Sequence, residues 1–346
     1  MFYKVCIRCY TYNQARFIED ALNGFSMQKT EFPFLAVIVD DASTDGEPQV
    51  IKSYIDARFN QSEESGSRHW ESEDAFWSLV NHKVNRNCWF LAVFLKKNLY
   101  KTKRKRELLN EWLNSTYIAF CEGDDYWTDS SKLQEQVSFL ENHPDYGFVG
   151  TETQLLSPNG KLVDEVSGLS TVPIIEGDWR LYQDVFEDAK HGPVTRTVSM
   201  CYRRSILDPY GGYRGGDLFL QTILAKHSFF AKIEKPMAVY RSEVGVSSKR
   251  NSLEKQLQYN NWFVKNRRLQ KKYFPEDCNW DENALLDRGD YIRLKILIRD
   301  GKWQEAIRLK EELRTIQYKK KAFARFLSGP ISCCFLAIII KLRIKE

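Results

Sequence analysis

Apolar and polar positions alternate in blocks along the first 245 residues, and the blocks predict strands that are followed by helices. Four runs are almost entirely apolar, as is typical of strands buried on both faces of a sheet: residues 5–9, 34–39, 89–95 and 117–121. Helical spacing of apolar residues follows the first two runs, at 17–27 and 50–55. This alternation predicts an α/β domain with a mixed, Rossmann-like sheet flanked by helices.

The same pattern predicts the elements that complete this domain. Residues 60–74 are polar and rich in Ser and Glu, which indicates an exposed insertion. A basic stretch at 96–106 precedes a predicted helix at 107–113. The remaining predictions are helices at 132–142 and 218–226 and strands at 148–156, 197–202 and 231–240.

Beyond residue 246 the pattern is helical, with one long helix at 252–272 and a helical hairpin at 291–300 and 303–313. The sequence therefore predicts three regions. Residues 1–245 form the α/β domain, 246–317 form a helical appendage, and 318–346 form a basic and apolar tail.

The chain has 51 basic and 46 acidic residues, and the excess lies at one end. Residues 318–346 contain seven basic residues and one acidic residue, so the rest of the chain is close to neutral. This distribution argues against a nucleic-acid-binding protein. The apolar run at 331–340 is about half as long as a spanning helix. Between its cationic flanks it predicts a segment that lies on an anionic membrane, and the alternative is a helix docked on the protein's own core.

We do not expect the first residues to act as an export signal, because Lys4 and Arg8 interrupt the apolar positions. The eight cysteines are scattered, mostly in apolar runs, and we interpret them as reduced thiols in the cytoplasm. Together with the tail, this predicts a cytoplasmic protein bound peripherally to the inner membrane.

Acidic residues close three of the predicted strands, at the edge of an α/β sheet where ligands bind. Asp40 and Asp41 follow the most apolar strand, and a carboxylate at this position can accept from a nucleobase N–H or a ribose hydroxyl. The alternative is helix capping, which suits Ser43 and Asp45 better than Asp41.

Glu122, Asp124 and Asp125 follow the fourth apolar run, with Tyr126 and Trp127 beside them. Carboxylates at this spacing in a turn can converge on one hard cation. Mg²⁺ and Mn²⁺ prefer oxygen ligands and leave positions for substrate phosphates. The sequence therefore predicts a divalent ion that bridges a phosphate-bearing substrate.

Three ordered motifs resemble glycosyltransferase family 2, an inverting, nucleotide-sugar-dependent family with the GT-A fold. Residues 9–14 (CYTYNQ) resemble the P-T-Y-N start of that family. Residues 39–46 (VDDASTDG) resemble its V-D-D-G-S-T-D-G, and residues 117–127 (YIAFCEGDDYW) resemble Y-I-A-F-L-D-x-D-D-x-W. The resemblance covers about residues 1–240.

The resemblance implies a role for each matching residue. The nucleotide would be bound by Asp41 and by four residues of the first motif: Tyr10, Thr11, Tyr12 and Asn13. Glu122 and Asp124 occupy the ends of the D-x-D motif, and Asp124, together with Asp125, would hold the metal. Glu122 replaces the usual Asp. Asp217 matches the Asp of the family's later E-D motif, the catalytic base. The alternative is that Asp217 caps the helix that follows it, and the two roles are compatible.

The resemblance and the tail together predict a non-processive inverting glycosyltransferase. It would move a sugar from a nucleotide-diphosphate donor, with UDP as the expected nucleotide, to a hydroxyl of a lipid-linked oligosaccharide in bacterial surface polysaccharide synthesis. The expected cofactor is Mn²⁺ or Mg²⁺. Two alternatives remain: a nucleotidyltransferase, for which no Gly-rich triphosphate loop is found, and an inactive, membrane-associated relative that only binds nucleotide sugars.

Overall fold

The computed structural model describes residues 2–100, 102–165, 168–211, 216–242, 244 and 252–327. The chain divides into two compact units, residues 1–245 and 246–346. The predicted membrane-binding run at 331–340 lies outside the described residues, so its role stays a prediction.

Thirteen described strands form one mixed sheet in the first unit. In chain order they are β1 (Val5–Thr11), β2 (Phe34–Asp40), β3 (Arg68–Glu71), β4 (Ala75–Asn81), β5 (Cys88–Leu95), β6 (Tyr117–Phe120), β7 (Tyr126–Trp127), β8 (Tyr146–Leu156), β9 (Leu162–Asp164), β10 (Ile174–Glu176), β11 (Trp179–Tyr182), β12 (Cys201–Arg203) and β13 (Phe229–Arg241). The order across the sheet is β10-β11-β13-β8-β12-β6-β1-β2-β5-β4-β3, while β7 pairs with β13 and β9 with β8.

The centre of the sheet is parallel. β1 pairs in parallel with both β2 and β6, and β2 pairs in parallel with β5. Every residue of β2, β5 and β6 is buried, which explains why these strands read as unbroken apolar runs. Because β1, β2 and β6 run in the same direction, the loops that follow them lie at one edge of the sheet.

Ten described helices accompany the strands. The first unit contains α1 (Ile18–Ser26), α2 (Glu47–Arg58), α3 (Lys103–Leu109), α4 (Lys132–Asn142), α5 (Phe186–His191) and α6 (Asp217–His227). The second unit contains α7 (Leu253–Tyr273), α8 (Glu282–Arg299), α9 (Trp303–Glu311) and α10 (Ile316–Leu327). The predicted fold class, a mixed α/β sheet flanked by helices and followed in the chain by a helical region, is confirmed.

The polar segment 60–74 is mostly exposed, as predicted, and it contains β3, which pairs at the sheet edge with β4, a strand that the sequence did not predict. Two other local predictions were wrong. The helix predicted at 107–113 spans Lys103–Leu109 instead, because the Thr102 side chain accepts the backbone N–H of Lys105 and caps the helix within the basic stretch. The predicted strand at 197–202 begins with a 3-10 turn at Thr197–Ser199, and only Cys201–Arg203 pairs as β12.

In the second unit, α8 lies against α7, α9 and α10. Three apolar residues form its buried centre: Leu294, Leu313 and Ala322. Since Ala322 belongs to α10, the described start of the predicted tail packs on a core of this unit. Among the described residues, no helix combines the length and the apolar character that crossing a membrane requires.

Candidate active site

Glu47 joins the loops that follow β1 and β2. Its side chain is fully buried, and its carboxylate accepts hydrogen bonds from the Thr11 hydroxyl, the backbone N–H of Gln14 (2.9 Å) and the Ser43 hydroxyl (2.9 Å). Burial raises the pKa of this carboxyl group above its usual range. The buried carboxylate of Glu47 therefore holds the two loops together at this edge of the sheet.

A second set of contacts fastens the same loops closer to the surface. The Asn13 side-chain oxygen accepts the Thr44 N–H (2.7 Å), and the Ser43 hydroxyl accepts the Asn13 N–H (2.8 Å). Asn13 and Ala42 both have a left-handed backbone, with φ of 54° and 60°. Position 42 is glycine in the resembling motif, and this φ explains that preference because a side chain is disfavoured there.

Two cations flank Tyr10 at the end of β1. The Lys105 ammonium lies 4.5 Å from the centre of its ring, and the Arg8 guanidinium lies 5.1 Å from it. Lys105 also pairs with Asp41 at 2.9 Å, and Asp41 accepts the Leu99 N–H at 2.7 Å. Of the basic stretch 96–106, Lys105 thus lies in the predicted nucleotide site. Lys96 pairs with Glu71, and Arg104 with Asp74.

Asp40 lies beside Asp41 at the end of β2 and is 2% exposed. Its Oδ2 accepts the Ser43 N–H at 3.3 Å, and its Oδ1 is buried with no partner among the described residues. Burial raises the pKa of this group. Because an orphaned buried oxygen is costly, this carboxylate is a candidate to receive a hydrogen bond from a ligand.

Gly123 allows the loop after β6 to approach the loop after β1. A Cβ atom there would lie 2.2 Å from the Thr11 hydroxyl oxygen and 2.5 Å from the Gln14 side-chain oxygen. Next to it, burial raises the pKa of Glu122 to about 7, while the charges of Arg8 and Lys105 lower it. Glu122 therefore lies on the side of the site where those two cations are found.

Asp124 and Asp125 are both buried, at 8% and 5% exposure. Burial raises the pKa of Asp125 well above its usual range, and the Asp124 charge raises it further. Arg241 stabilises this turn: its guanidinium donates to the Asp124 carbonyl (2.8 Å) and pairs with Asp20, and its backbone N–H donates to Asp125 (2.8 Å).

Within the described ranges, no three side chains of His, Cys, Asp or Glu come together as a metal-binding group. The residues present fit a different arrangement, in which one carboxylate and the substrate's phosphates share the ion. Asp124 suits this arrangement because its carboxyl group is buried and burial raises its pKa, so the ionised form gains from a nearby cation. Asp125 is less free, since one of its oxygens accepts the Arg241 N–H.

Asp217 opens α6 and is half-buried. Its Oδ2 accepts the Thr197 hydroxyl at 3.3 Å, and its Oδ1 accepts the backbone N–H of Leu218 at 3.0 Å. Burial raises the pKa of the Tyr240 hydroxyl, and the charges of Asp125, Asp124 and Asp217 raise it further, against the lowering effect of Arg196.

Arg196 is one of the residues that line a polar cavity of about 380 Å³. Its guanidinium lies 4.6 Å from the centre of the Tyr240 ring and binds both oxygens of Glu165, at 2.7 and 2.9 Å from Nε. Among the residues that line the cavity is the Lys232–Glu152 ion pair (2.8 Å), in which the lysine is buried. The cavity is therefore lined by paired charges. Its lining residue Arg196 precedes Thr197, the residue whose hydroxyl donates to Asp217.

The predicted residues differ in how directly they can meet a ligand. Tyr12 is 40% exposed, whereas Thr11 and Asn13 use their side chains to hold the two loops. Sequence reasoning did not single out four residues that complete the site: Arg8, Glu47, Arg196 and Arg241. Arg241 contacts a turn 117 positions earlier, so no local pattern could have revealed its role.

This arrangement, a mixed sheet with acidic loops at the ends of its central parallel strands, defines an α/β protein of the GT-A type. The solved structure of S. aureus TarS 1-349 in complex with UDP-GlcNAc is similar, with a TM-score of 0.50 and 15% identity. The match covers 85% of this chain and 72% of that one, and it supports the shared fold. Mannosyltransferase PcManGT from Pyrobaculum calidifontis, in complex with GDP-Man and Mn²⁺, matches at a TM-score of 0.46 and 14% identity, over 97% of this chain and 83% of that one. A TM-score below 0.5 is too low to support a conclusion about this protein.

In sequence, the chain is similar to the uncharacterized protein Rv1520 from Mycobacterium tuberculosis and the uncharacterized protein Mb1547 from Mycobacterium bovis. It is 31% identical to each over 234 residues, which are 67% of this chain. The match spans 56% of the length of either relative. No protein-family model matches the chain.

Proposed function

We propose that the protein is an inverting glycosyltransferase of family 2 that uses a nucleotide-diphosphate sugar. The observation that carries this proposal is the placement of buried carboxylates in the loops directly after two parallel strands of one sheet edge: Asp41 after β2, and Asp124 and Asp125 after β6. The proposed base, Asp217, accepts from Thr197, the residue next to the Arg196 that lies over the Tyr240 ring. Sugar transfer from a nucleotide-diphosphate donor requires a carboxylate that binds the metal and a general base close to it. The fold shared with TarS, solved with UDP-GlcNAc, supports the same class of donor.

The donor nucleotide, with UDP the first candidate, would lie over the loops after β1 and β2. Tyr10 and Tyr12 offer aromatic rings, and Asp41, with the orphaned oxygen of Asp40, offers acceptors for base N–H or ribose hydroxyl groups. Thr11 and Asn13 would shape this pocket through the loop contacts. Lys105 and Arg8 supply positive charge toward the diphosphate.

A bound Mn²⁺ or Mg²⁺ would supply charge stabilisation for the departing nucleoside diphosphate. Asp124 is the proposed ligand, with Asp125 and Glu122 around it. Arg241 holds the turn that carries Asp124 and Asp125, so the carboxylates keep their place while a donor binds.

Asp217 is the proposed base. It would take the proton of an acceptor hydroxyl as the hydroxyl oxygen forms a bond to the anomeric carbon. The bond from that carbon to the donor's phosphate oxygen breaks, and the nucleoside diphosphate leaves with the electron pair. A single displacement of this kind inverts the anomeric configuration. The half-buried position of Asp217 leaves it accessible to an acceptor.

The proposed acceptor is a hydroxyl of a lipid-linked oligosaccharide, in bacterial surface polysaccharide synthesis at the cytoplasmic face of the inner membrane. The support for this setting is the basic and apolar tail in the sequence. The polar cavity beside Arg196 is a candidate location for acceptor hydroxyls, since its paired charges provide both donors and acceptors.

The experiment that tests the proposal incubates the purified chain with Mn²⁺ and a panel of UDP-, GDP- and dTDP-sugars. Release of nucleoside diphosphate and calorimetric binding are measured for each donor. Metal-dependent binding together with release supports a transferase. Binding without any release across the panel would favour an inactive nucleotide-sugar-binding relative, and the absence of both would refute the proposal.

The proposed base is tested by Asp217→Asn, with Asp208→Asn as the matched control. Asp208 is another carboxylate of the same unit, exposed and paired with Arg204. Asp217→Asn is expected to lower the rate of nucleotide release by about 100-fold or more and to leave UDP affinity unchanged. A rate near that of the control variant would exclude Asp217 as the base.

A further inference from the structure

The helical unit contains a cavity of about 480 Å³ between α7 and α8 that the proposed transfer reaction does not use. Its lining is basic. Lys265, Arg268 and Lys272 come from α7 and Arg293 from α8, while Asp290 is the only acidic residue in the lining that the structure describes.

The three cations from α7 form a row. They stand at positions i, i+3 and i+7 of one helix, so they lie on the same helix face. With a rise of 1.5 Å per residue, the row is about 10 Å long.

Positive charge prevails in this cavity. The Asp290 carboxylate is bound by Arg293 and Arg314, each at 3.0 Å, and Arg268 pairs with Glu282 at 2.7 Å. Among the described residues, neither Lys265 nor Lys272 pairs with a carboxylate. These two ammonium groups therefore remain available to an anion.

Asn260 provides an independent indication of a ligand. It lines the cavity and is 3% exposed, and its Oδ1 is buried with no hydrogen-bond partner among the described residues. Its Nδ2 donates weakly to the Leu285 carbonyl at 3.5 Å. A Cβ at position 289 would lie 2.9 Å from that nitrogen, so Gly289 leaves room for the amide. An unsatisfied buried acceptor is costly unless something donates to it.

We propose that this cavity binds a phosphate ester that also carries a hydroxyl group. The phosphate would lie along Lys265, Arg268 and Lys272, and the hydroxyl would donate to Oδ1 of Asn260. Such a group occurs on soluble sugar or glycerol phosphates and on phosphatidylglycerol headgroups. The site is separate from the nucleotide site and does not depend on the proposed transfer reaction.

The soluble source is tested with the full chain by calorimetry, using inorganic phosphate and glycerol 3-phosphate as probes. The variant is Lys265→Ala with Lys272→Ala. The control is Lys271→Ala with Lys302→Ala, which removes the same charge from the same unit outside the cavity lining. Glycerol 3-phosphate is expected to bind more tightly than inorganic phosphate, and the cavity variant to weaken it at least tenfold relative to the control.

The lipid source is tested by sedimentation with phosphatidylcholine vesicles, with and without phosphatidylglycerol. Because the variant and the control retain the same tail, any difference between them reports the cavity. A loss of at least tenfold for phosphatidylglycerol vesicles alone assigns the ligand to lipid, and a loss for glycerol 3-phosphate alone assigns it to a soluble ester. Equal binding by the variant and the control in both assays overturns the proposal.

Asn260→Ala tests the hydroxyl contact. It is expected to remove the preference for glycerol 3-phosphate over inorganic phosphate, and an unchanged preference would refute the role of Asn260. Thermal unfolding of every variant serves as a check on folding. Because none of these measurements uses a nucleotide, failure of the donor panel and failure of the cavity proposal remain distinguishable.

Discussion

Removing the Glu47 side chain is expected to destabilise the protein and to weaken nucleotide binding together. Its carboxylate accepts three hydrogen bonds that join the loops after β1 and β2. A hydrogen bond to a charged group contributes about 1.5–3 kcal/mol. Thr11 retains a second acceptor, the side-chain oxygen of Gln14 at 2.7 Å, so part of the loss is recovered. The expected cost of Glu47→Ala is therefore about 3 kcal/mol of unfolding free energy.

Glu47→Gln is the matched variant, because the amide has nearly the same shape. Its oxygen can accept the bonds from Gln14 and Ser43, and its NH₂ can donate to the Thr11 hydroxyl oxygen. Burial also raises the pKa of the carboxyl group, which means that its charge is held at a cost that the amide avoids. The expected loss is about 1 kcal/mol, with UDP affinity close to that of the natural protein.

Urea denaturation and UDP titration of both variants provide the measurement. The expected result is a large loss of both stability and affinity for Glu47→Ala, with most of each recovered in Glu47→Gln. If Glu47→Ala costs under 1 kcal/mol, the contacts do not hold the loops. If it destabilises the protein but leaves UDP affinity unchanged, Glu47 is not a positioning residue for the nucleotide.

Two further predictions concern buried positions near the site. Burial lowers the pKa of Lys132 from 10.5 to about 8, so the charged lysine destabilises the folded state at pH 7. At about 1.36 kcal/mol per pKa unit, replacing it in Lys132→Met is expected to raise the unfolding free energy at pH 7 by up to about 3 kcal/mol. The difference in unfolding free energy between Lys132→Met and the natural protein should shrink as pH rises from about 8 to 10.5, because the folded lysine is neutral in that range. Urea denaturation that gives the same difference at every pH would contradict this. Gly123→Ala is expected to cost about 1–3 kcal/mol and to weaken UDP binding, because its Cβ would meet Thr11 at 2.2 Å. Gly192→Ala, with no atom within 4 Å of its Cβ, is the control, and equal effects in thermal unfolding would refute the explanation.

The sequence predicted the elements whose pattern is decided locally. The strand at Phe34–Asp40 is buried along its whole length, and its apolar run has no other good explanation. Likewise, helix Lys132–Asn142 was predicted with the bounds that the structure has. The edge strand Arg68–Glu71 was missed because it is mostly exposed, so its composition resembles that of a loop.

The cations of the site were harder to predict for a physical reason. A carboxylate at the end of an apolar strand stands out in the sequence, whereas an arginine that pairs with it can come from any part of the chain. Lys105 reaches Asp41 across 64 positions, and Arg241 reaches the Asp124 carbonyl across 117. Only the fold shows which of the seven cations in the basic stretch 96–106 lies in the site.

These cations offset only part of the negative charge at the sheet edge, and this imbalance bears on the proposed metal. Lys105 neutralises Asp41, and Arg241 binds the turn at Asp124 and Asp125 mainly through the Asp124 carbonyl and Asp20. Burial and the Asp124 charge still raise the pKa of Asp125, so the carboxylates repel one another at this point. A divalent cation that arrives with a diphosphate would relieve this repulsion, since its own charge favours the ionised carboxylates. Nucleotide binding should therefore strengthen with Mn²⁺ in the natural protein, and Asp124→Asn should remove that dependence; in a titration of UDP with and without the ion, an unchanged dependence would place the metal elsewhere.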